Sequence, residues 1–389
     1  MPIVNRMAEL HEEITEWRRH IHANPELQYD VHETAALVCE KLKSFGCDEV
    51  HTGIGRTGVV GIIHGREKTS GHVIGMRADM DALPIEEATD VPHKSKVPGK
   101  MHACGHDGHT AMLLGAAKYL AETRNFDGTV AVIFQPAEEG GAGGKAMVDD
   151  GMMDRFNIKE VYGMHNIPGV PVGEFCIRSG PVMAATDEFR IKVTGKGAHA
   201  AMPNNGIDPV LIASHIVIGL QSIAARNIDP MDNLVISATQ IHGGNAFNVI
   251  PEVVEIVGTV RSLTNESRDI AVEKIEQISC GVANAMGASA EVNLIKGYPV
   301  TFNHDAETQK AAKVAKLVAG EMNVDTNKPA TMGGEDFSYM LLERPGAFIF
   351  VGNGETAGLH HPKYDFNDDV IPVGTSYWAK LAETLMPAA

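Results

Sequence analysis

Apolar residues along this chain follow two spacings, one typical of helices and one typical of buried strands. Residues 7–22 repeat apolar side chains at helical intervals among charged ones, and residues 33–45 and 306–321 also have helical patterns. The continuous apolar runs predicted as strands are GVVGIIHG, HVIGMRA, TVAVIFQ, KEVYGMH and, near the C-terminus, GAFIFVGNG. Strands and helices alternate, which predicts an α/β fold with a mostly parallel sheet sandwiched by helices.

The middle of the chain has a different pattern. Residues 181–297 contain four strand-like runs and two long helical runs in the order β-α-β-β-α-β. That order is typical of a ferredoxin-like α+β unit, with an antiparallel sheet and both helices on one face. We therefore predict a first domain formed by residues 1–180 and 298–389, interrupted by an inserted second domain at 181–297.

Composition limits the class of protein. A chain of 389 residues exceeds what one core usually organises, which agrees with two domains. The formal charge of −17 argues against nucleic acid or an anionic membrane as the main partner. Five scattered cysteines do not form a disulfide framework, and the N-terminus lacks the apolar segment of a secretion signal, so a cytoplasmic location is expected. The most apolar run, residues 209–220, is too short to span a bilayer.

Polar side chains follow three of the predicted strands of the first domain. Asp79 and Asp81 follow HVIGMRA, Glu138 and Glu139 follow TVAVIFQ, and His165 ends VYGMH. Ligands of open α/β sheets bind outside the carboxyl ends of the strands, so these residues are expected to meet there.

The motif MHACGHDGH, residues 101–109, precedes a predicted helix and is the strongest candidate for metal binding. The alternative is a helix N-terminus with surface histidines and a small buried cysteine. The candidate ligands are Cys104, His106, Glu139, His165 and either His360 or His361. Five ligands of mixed S, N and O type exceed the need of one tetrahedral zinc, which favours two divalent ions sharing a bridging thiolate. Zinc suits these ligands best, but manganese, cobalt or nickel also fit.

Two neighbouring metals lower the pKa of a shared water, so hydrolysis is the expected chemistry. In the pair Glu138 and Glu139, one carboxylate can bind metal while the other takes a proton from the water. Asp79 and Asp81 can orient ligand histidines, and Asp81 is also a candidate catalytic residue. Asp79 can alternatively form a salt bridge with Arg77.

Four residues outside the first domain's strand ends are candidate substrate contacts. His199 lies in the small-residue loop GKGAHAAMP, although a surface histidine is the ordinary alternative. Asn248 and Arg261 lie at strand ends, where Arg261 could hold a carboxylate with two hydrogen bonds or be an ordinary sheet-surface arginine. Gly334, in TMGGEDFSYM, is a further candidate for substrate binding.

Taken together, eight motifs resemble the aminoacylase and carboxypeptidase family of dinuclear metallohydrolases, in particular the amidohydrolase branch that includes hippurate hydrolase. The motifs cover nearly the whole chain and are RRHIHANPEL, MRADMDALPI, MHACGHDGHTAMLLGAA, FQPAEEGGAGG, GMHN, GKGAHAAMP, GGEDFSYM and LHHPKYDF. The resemblance implies hydrolysis of the amide bond of N-acyl amino acids. A dipeptidase or aminopeptidase on the same scaffold, or a non-catalytic metal-dependent binding protein, are the alternatives, and the acyl group stays open.

The resemblance also implies roles for individual residues. It implies that Cys104 bridges two metals, that Glu138 is the general base, and that the last ligand, two residues before a proline, is His360. Cys104 stands where the wider family has a bridging carboxylate, and Asp79 where it has a metal-binding histidine. The resemblance further implies a homodimer, or a dimer of dimers, formed through the inserted domain. His199 then reaches the partner's active site or closes over its own.

Overall fold

A computed structural model describes residues 4–389 of the protein. Its α-helices are α1 (Asn5–Ala23), α2 (His32–Ser44), α3 (His106–Thr123), α4 (Gly143–Asp149), α5 (Met152–Arg155), α6 (Pro209–Arg226), α7 (Asn265–Ala285), α8 (Asp305–Ala319), α9 (Ser338–Glu343) and α10 (Ile371–Leu385). Its strands are β1 (Glu49–Ile54), β2 (Gly58–His64), β3 (Val73–Asp79), β4 (Thr129–Gln135), β5 (Glu160–Ile167), β6 (Phe175–Cys176), β7 (Gly180–Met183), β8 (Ala185–Thr194), β9 (Ala198–His199), β10 (Leu234–Gly243), β11 (Val249–Ile250), β12 (Val253–Ser262), β13 (Ser289–Lys296), β14 (Thr301–Asn303), β15 (Val324–Asp325) and β16 (Gly346–Gly352).

The large sheet of the first unit has the strand order β1-β2-β4-β3-β5-β16-β6-β15. Its centre, β4-β3-β5-β16, is parallel, whereas β1, β2 and β4 pair antiparallel, as do β16 and β6. Every residue of β3 and β16 is buried, in agreement with their continuous apolar runs. The carboxyl ends of β3, β4 and β5 therefore lie side by side.

Helices flank this sheet. Helix α3 packs on β3 and is in turn covered by α1 and α10, while α4 packs on β4 and against α9. The side chains of α3 are almost all buried, because this helix lies between the sheet and two other helices. The α/β architecture with a mostly parallel sheet is therefore confirmed.

The second unit has a four-stranded antiparallel sheet in the order β10-β12-β8-β13. Helices α6 and α7 pack on each other and on these strands, around a core that includes Phe189, Ile216 and Ile275. The order of elements and the sheet order are those of the ferredoxin-like unit. The expected inserted α+β fold is thus present.

The structure divides the chain elsewhere than at residues 181 and 297. The second unit comprises Met183–Thr301 together with Ala330–Glu335, and the remaining segments form the first unit. The short segment 330–335 belongs to the second unit because Ala184 donates a backbone hydrogen bond to Gly333 and Met183 pairs with Thr331. Local sequence patterns do not reveal such pairing between distant segments.

Helix α6 is longer than the apolar run from which it was predicted. It continues to Arg226, and this longer helix has the length and apolar composition that a membrane-crossing helix needs, by those two criteria alone. Its side chains Ile212, Ile216 and Leu220 are buried in the core of the second unit. Packing of one helix face against a sheet therefore accounts for much of its apolar composition.

Candidate metal centre and substrate contacts

The sequence pattern suggested that the metal-binding motif precedes helix α3. In the structure the last part of the motif is already in the helix. The helix begins at His106, so His106 and His109 lie in its first turn. Gly105 precedes the helix with a φ of 91°, a left-handed conformation that glycine adopts without strain. A side chain at this position would also collide with Asn166 and Tyr364. Gly105 thus turns the chain sharply between Cys104 and His106.

The predicted ligands on the first unit converge. Ligand atoms of Cys104, His106 and Glu139 all lie within 4.8 Å of one another. The Cys104 Sγ atom is 3.3 Å from Nε2 of His165, which β5 carries near its carboxyl end. Cys104 and His106 lie at the start of α3, whereas Glu139 follows β4 and His165 lies near the carboxyl end of β5.

His360, rather than His361, faces this cluster. The Nε2 atom of His360 lies 3.2 Å from Oε1 of Glu139. His361 instead accepts a hydrogen bond at Nδ1 from the backbone N–H of Lys363. His360 has a φ of 63°, and this left-handed turn gives the two neighbouring histidines different directions.

The donor atoms fit divalent cations. Nε2 of His106 is buried and has no hydrogen-bond partner among residues 4–389, and Oε1 of Glu139 is buried beside the His360 imidazole. Buried polar atoms without a partner cost free energy, so their convergence beside a thiol and further imidazoles is typical of a metal site. A set of S, N and O donors of this size can hold two ions.

The charges of the cluster also favour a bound cation. Burial, followed by the nearby carboxylates of Glu139 and Glu138, raises the pKa of the Cys104 thiol well above its ordinary value. Burial together with His109 lowers the pKa of His165, which keeps that imidazole neutral and able to act as a ligand. A metal ion reverses the effect at Cys104, because a coordinated thiol is deprotonated.

Asp79 contacts both partners that the sequence offered as alternatives. Its carboxylate accepts hydrogen bonds from Arg77 at 2.8 Å and from Nδ1 of His109 at 2.6 Å. Burial tends to raise the pKa of Asp79, but His106 and Arg77 outweigh it and keep the pKa well below its usual range. Asp79 is therefore an anion beneath the candidate ligands and orients His109.

Sequence reasoning passed over His109, Asn166 and Tyr364. The backbone N–H of Asn166 donates to Nε2 of His109 at 3.0 Å, and its side-chain amide donates to the carbonyl of Cys104 at 2.7 Å. The Tyr364 hydroxyl donates to Asn166 Oδ1 at 2.7 Å. A spacing of three from His106, one face of a helix, was the available signal for His109. Nothing in the sequence linked Tyr364 to Asn166.

Asp81 holds the turn that carries the two glutamates. Its two carboxylate oxygens accept hydrogen bonds from the backbone N–H groups of Glu138 at 2.9 Å and Glu139 at 3.0 Å. Its backbone carbonyl lies 2.8 Å from Nδ1 of His106. These contacts fit a positioning role for Asp81, and its direct catalytic role stays a prediction.

His199 and Asn248 are neighbours within the second unit. Strand β9, which ends at His199, pairs with β11, and the backbone N–H of Ala200 donates to the carbonyl of Asn248 at 3.0 Å. Nδ1 of His199 accepts a hydrogen bond from the N–H of Ala201, so its proton resides on Nε2. The exposed His199 therefore presents an N–H donor to solvent or to a ligand.

Arg261 and Gly334 also lie together in the second unit. Arg261 is half-buried and has no ion-pair partner in the part of the chain that the structure describes, and burial lowers its pKa. A Cβ atom at Gly334 would lie 3.5 Å from the Arg261 guanidinium and 2.4 Å from Thr186. Glycine at this position leaves space beside an unpaired cation, which suits a small anion.

Comparison with known proteins agrees with this geometry. Residues 75–384 match the model of the peptidase family M20/M25/M40. Hippurate hydrolase of Campylobacter jejuni is 43% identical over 98% of this chain and 99% of its own length. N-acetylcysteine deacetylase of Bacillus subtilis is 39% identical over 96% of each chain. The crystal structure of Bacillus subtilis YxeP, described as a dinuclear metal-binding peptidase, is 35% identical, covers 97% of this chain and 99% of its own, and has a TM-score of 0.86. The chain belongs to the peptidase family M20/M25/M40 and is an amidohydrolase of that family.

Proposed function

We propose that the protein hydrolyses the amide bond of N-acyl amino acids and releases a carboxylic acid and a free amino acid. The observation that carries this proposal is the convergence of Cys104, His106, Glu139, His165 and His360 beside Glu138. Relatives named as a hippurate hydrolase and a deacetylase act on substrates of this type, which supports the same class here.

Two divalent cations held by these five residues would supply Lewis acidity and lower the pKa of a shared water. We propose zinc as the native metal, because thiolate and imidazole ligands suit it, with manganese, cobalt or nickel as alternatives. Asp81 fixes the backbone of the Glu138–Glu139 turn, so that one carboxylate binds metal and the other faces the reacting water.

In the proposed reaction, Glu138 is the general base. It takes a proton from the attacking water, and the water oxygen attacks the amide carbon. The N–H of His199 stabilises the developing oxyanion. Glu138 then passes its proton to the leaving amine, while Arg261 and Asn248 bind the substrate carboxylate.

A substrate panel tests the proposal. Chelator-treated protein is assayed on N-acetyl and N-benzoyl amino acids and on free dipeptides, with and without added zinc or manganese. Metal-restored cleavage of acyl amino acids but not of dipeptides supports the proposal. Cleavage of dipeptides alone would replace it with a peptidase, and a tightly bound but unhydrolysed acyl amino acid would indicate a binding protein.

Arg261→Ala is expected to raise the KM for an N-acyl amino acid, because a hydrogen-bonded charge pair contributes about 1.5–3 kcal/mol. The expected loss in kcat/KM is about 10- to 100-fold. The same substrate with its carboxylate converted to an amide should be hydrolysed equally by both enzymes. Arg190→Ala, at an exposed arginine of β8, is the matched control. An unchanged KM for the acid would exclude Arg261 from carboxylate binding.

His199→Ala is expected to lower kcat by about 10²- to 10³-fold with little change in KM, since an oxyanion donor acts mainly in the transition state. Steady-state kinetics on one N-acyl amino acid measures both constants. His32→Ala, at an exposed histidine of α2, controls for loss of an imidazole. A normal kcat in the His199 variant would remove it from the oxyanion site.

We further propose a homodimer formed through the second unit, which could assemble into a dimer of dimers. Helix α6 exposes Leu211 and Ile218, and the neighbouring edge strand β10 exposes Val235 and Ile241. Edge strands with apolar side chains readily pair with another chain. Ile218→Glu is therefore expected to yield monomers in sedimentation velocity, whereas Leu317→Glu, at an exposed leucine of α8, should not. A dimer that persists in the Ile218 variant would show that the interface does not depend on this face of α6.

We also propose that the protein works in the cytoplasm. All five cysteines are free, including the proposed ligand Cys104, which a reducing environment would keep available.

A further inference from the structure

The motif RRHIHANPEL has no part in the proposed reaction, yet two of its side chains are completely buried. Arg18 and His22 lie four residues apart on one face of α1, and neither has exposed surface. Buried charges are expensive unless they are paired, so their partners indicate what they do. Both contact Asp107, and His22 also contacts Glu87; we call Arg18, His22, Glu87 and Asp107 the buried ionic cluster.

Both ring nitrogens of His22 face carboxylates. Nδ1 lies 2.8 Å from Oδ2 of Asp107, and Nε2 lies 3.4 Å from each oxygen of Glu87. Each nitrogen must donate a proton to bond with an ionised carboxylate, so the ring is an imidazolium. Burial alone would lower the pKa of His22, but Asp107 and Glu87 outweigh it and raise the pKa to about 9.

Arg18 connects Asp107 to the C-terminal part of the first unit. Its guanidinium lies 3.4 Å from Oδ2 of Asp107, 3.3 Å from Asp365 and 2.7 Å from Asp368, and it donates to the carbonyl of Phe366. The segment 365–368 begins five residues after the proposed ligand His360. Arg18 therefore joins the start of α3 to the segment that follows the proposed last ligand.

The buried ionic cluster is connected to the metal centre through the backbone, because its two carboxylates lie in or contact chain segments next to the ligands. Asp107 lies between His106 and His109 in the first turn of α3. Glu87 accepts the backbone N–H of Ser95 at 2.7 Å and so fixes the segment that leads into the metal-binding motif. Without the side chains of Arg18 and His22, Asp107 and Glu87 would be buried anions that have lost their cationic partners. The first turn of α3 and the segment before the metal-binding motif would then lose their attachment to α1.

We propose that Arg18 and His22 are positioning residues for the metal centre, holding the first turn of α3 and the segment after His360 so that the ligands converge. The inference rests on the proposed function only in its assumption that the five converging residues bind metal. Groups that orient metal ligands typically change metal affinity or activity by about 10- to 100-fold.

The test compares His22→Gln, which removes the buried charge, with Glu160→Gln. Glu160 is a buried carboxylate at the opposite end of β5 from His165, paired with Lys310. In the purified full-length protein, cobalt affinity is measured by competition with a chelator, together with the visible spectrum of the cobalt form. The free energy of unfolding of the metal-free protein is measured for each variant. Steady-state kinetics completes the comparison.

We expect His22→Gln to weaken cobalt binding about 10- to 100-fold, to alter the cobalt spectrum, and to lower kcat with KM unchanged. Glu160→Gln should bind cobalt as the wild type does. A wild-type cobalt affinity and spectrum in the His22 variant, or an equal loss of affinity in the Glu160 variant, would overturn the proposal. If His22→Gln does not fold, Arg18→Lys gives the same readout, because a lysine keeps the charge but loses the planar set of donors that reaches three aspartates. Cobalt binding needs no substrate. If the wild type binds cobalt but does not cleave acyl amino acids, the proposed function is refuted, whereas the positioning role of Arg18 and His22 is still tested by the cobalt measurements.

Discussion

Replacing Glu138 by Gln is expected to lower kcat by about 10²- to 10⁴-fold, the usual contribution of a general base. The amide has the size of the carboxylate but cannot accept a proton from water. Because Asp81 holds this turn through backbone N–H groups, the substitution should leave the turn and Glu139 in place. The metal content, measured by elemental analysis, is therefore expected to stay at the wild-type value.

The control for Glu138 is Glu40→Gln, which makes the same chemical change at an exposed position of α2. It should have wild-type kinetics. Full turnover by the Glu138 variant would assign the proton transfer to another group, and loss of metal from it would make Glu138 a ligand instead.

Replacing Cys104 by Ala is expected to remove at least one metal ion and to lower kcat/KM by about 10³-fold or more, because Lewis-acid stabilisation is worth several kcal/mol. Cys104→Asp should retain more metal than Cys104→Ala, since a carboxylate can bridge two ions as a thiolate does. In the cobalt-substituted protein, the charge-transfer absorption of a cobalt–thiolate bond should disappear in both variants.

Cys176→Ala is the matched control, since Cys176 is also a buried free thiol of the first unit but lies in β6, and no metal-ligating cluster found among the described residues includes it. It should keep both the metal content and the cobalt–thiolate absorption. If Cys104→Ala kept two metal ions and the wild-type rate, the thiol would not be a ligand. The remaining four residues would then have to hold the ions.

The positions of most helices and strands were predictable because each has its own local pattern. The apolar run TVAVIFQ became β4, and the helical spacing of residues 7–22 became α1. Short elements such as β9 and β11 were not predicted, because two-residue strands have no period of their own and form only by pairing with each other. Segment 330–335 was placed in the wrong domain for the same reason.

The residue types of the metal centre were also evident from the sequence, since thiol, imidazole and carboxylate side chains follow the ends of strands that a parallel sheet brings together. The sequence could not choose between His360 and His361, because that choice depends on a left-handed turn at one residue. Nor could it decide whether Asp81 reacts or positions, which depends on two backbone N–H groups 57 and 58 residues away.

The sequence by itself thus determined the fold class, the ligand types and the edge of the sheet where they meet, because periodicity and side-chain chemistry are local properties. Only the tertiary structure determined which atoms share a proton or a charge. The burial of Arg18 and His22 against Asp107 joins residues 85 or more positions apart, and no local pattern encodes such a contact.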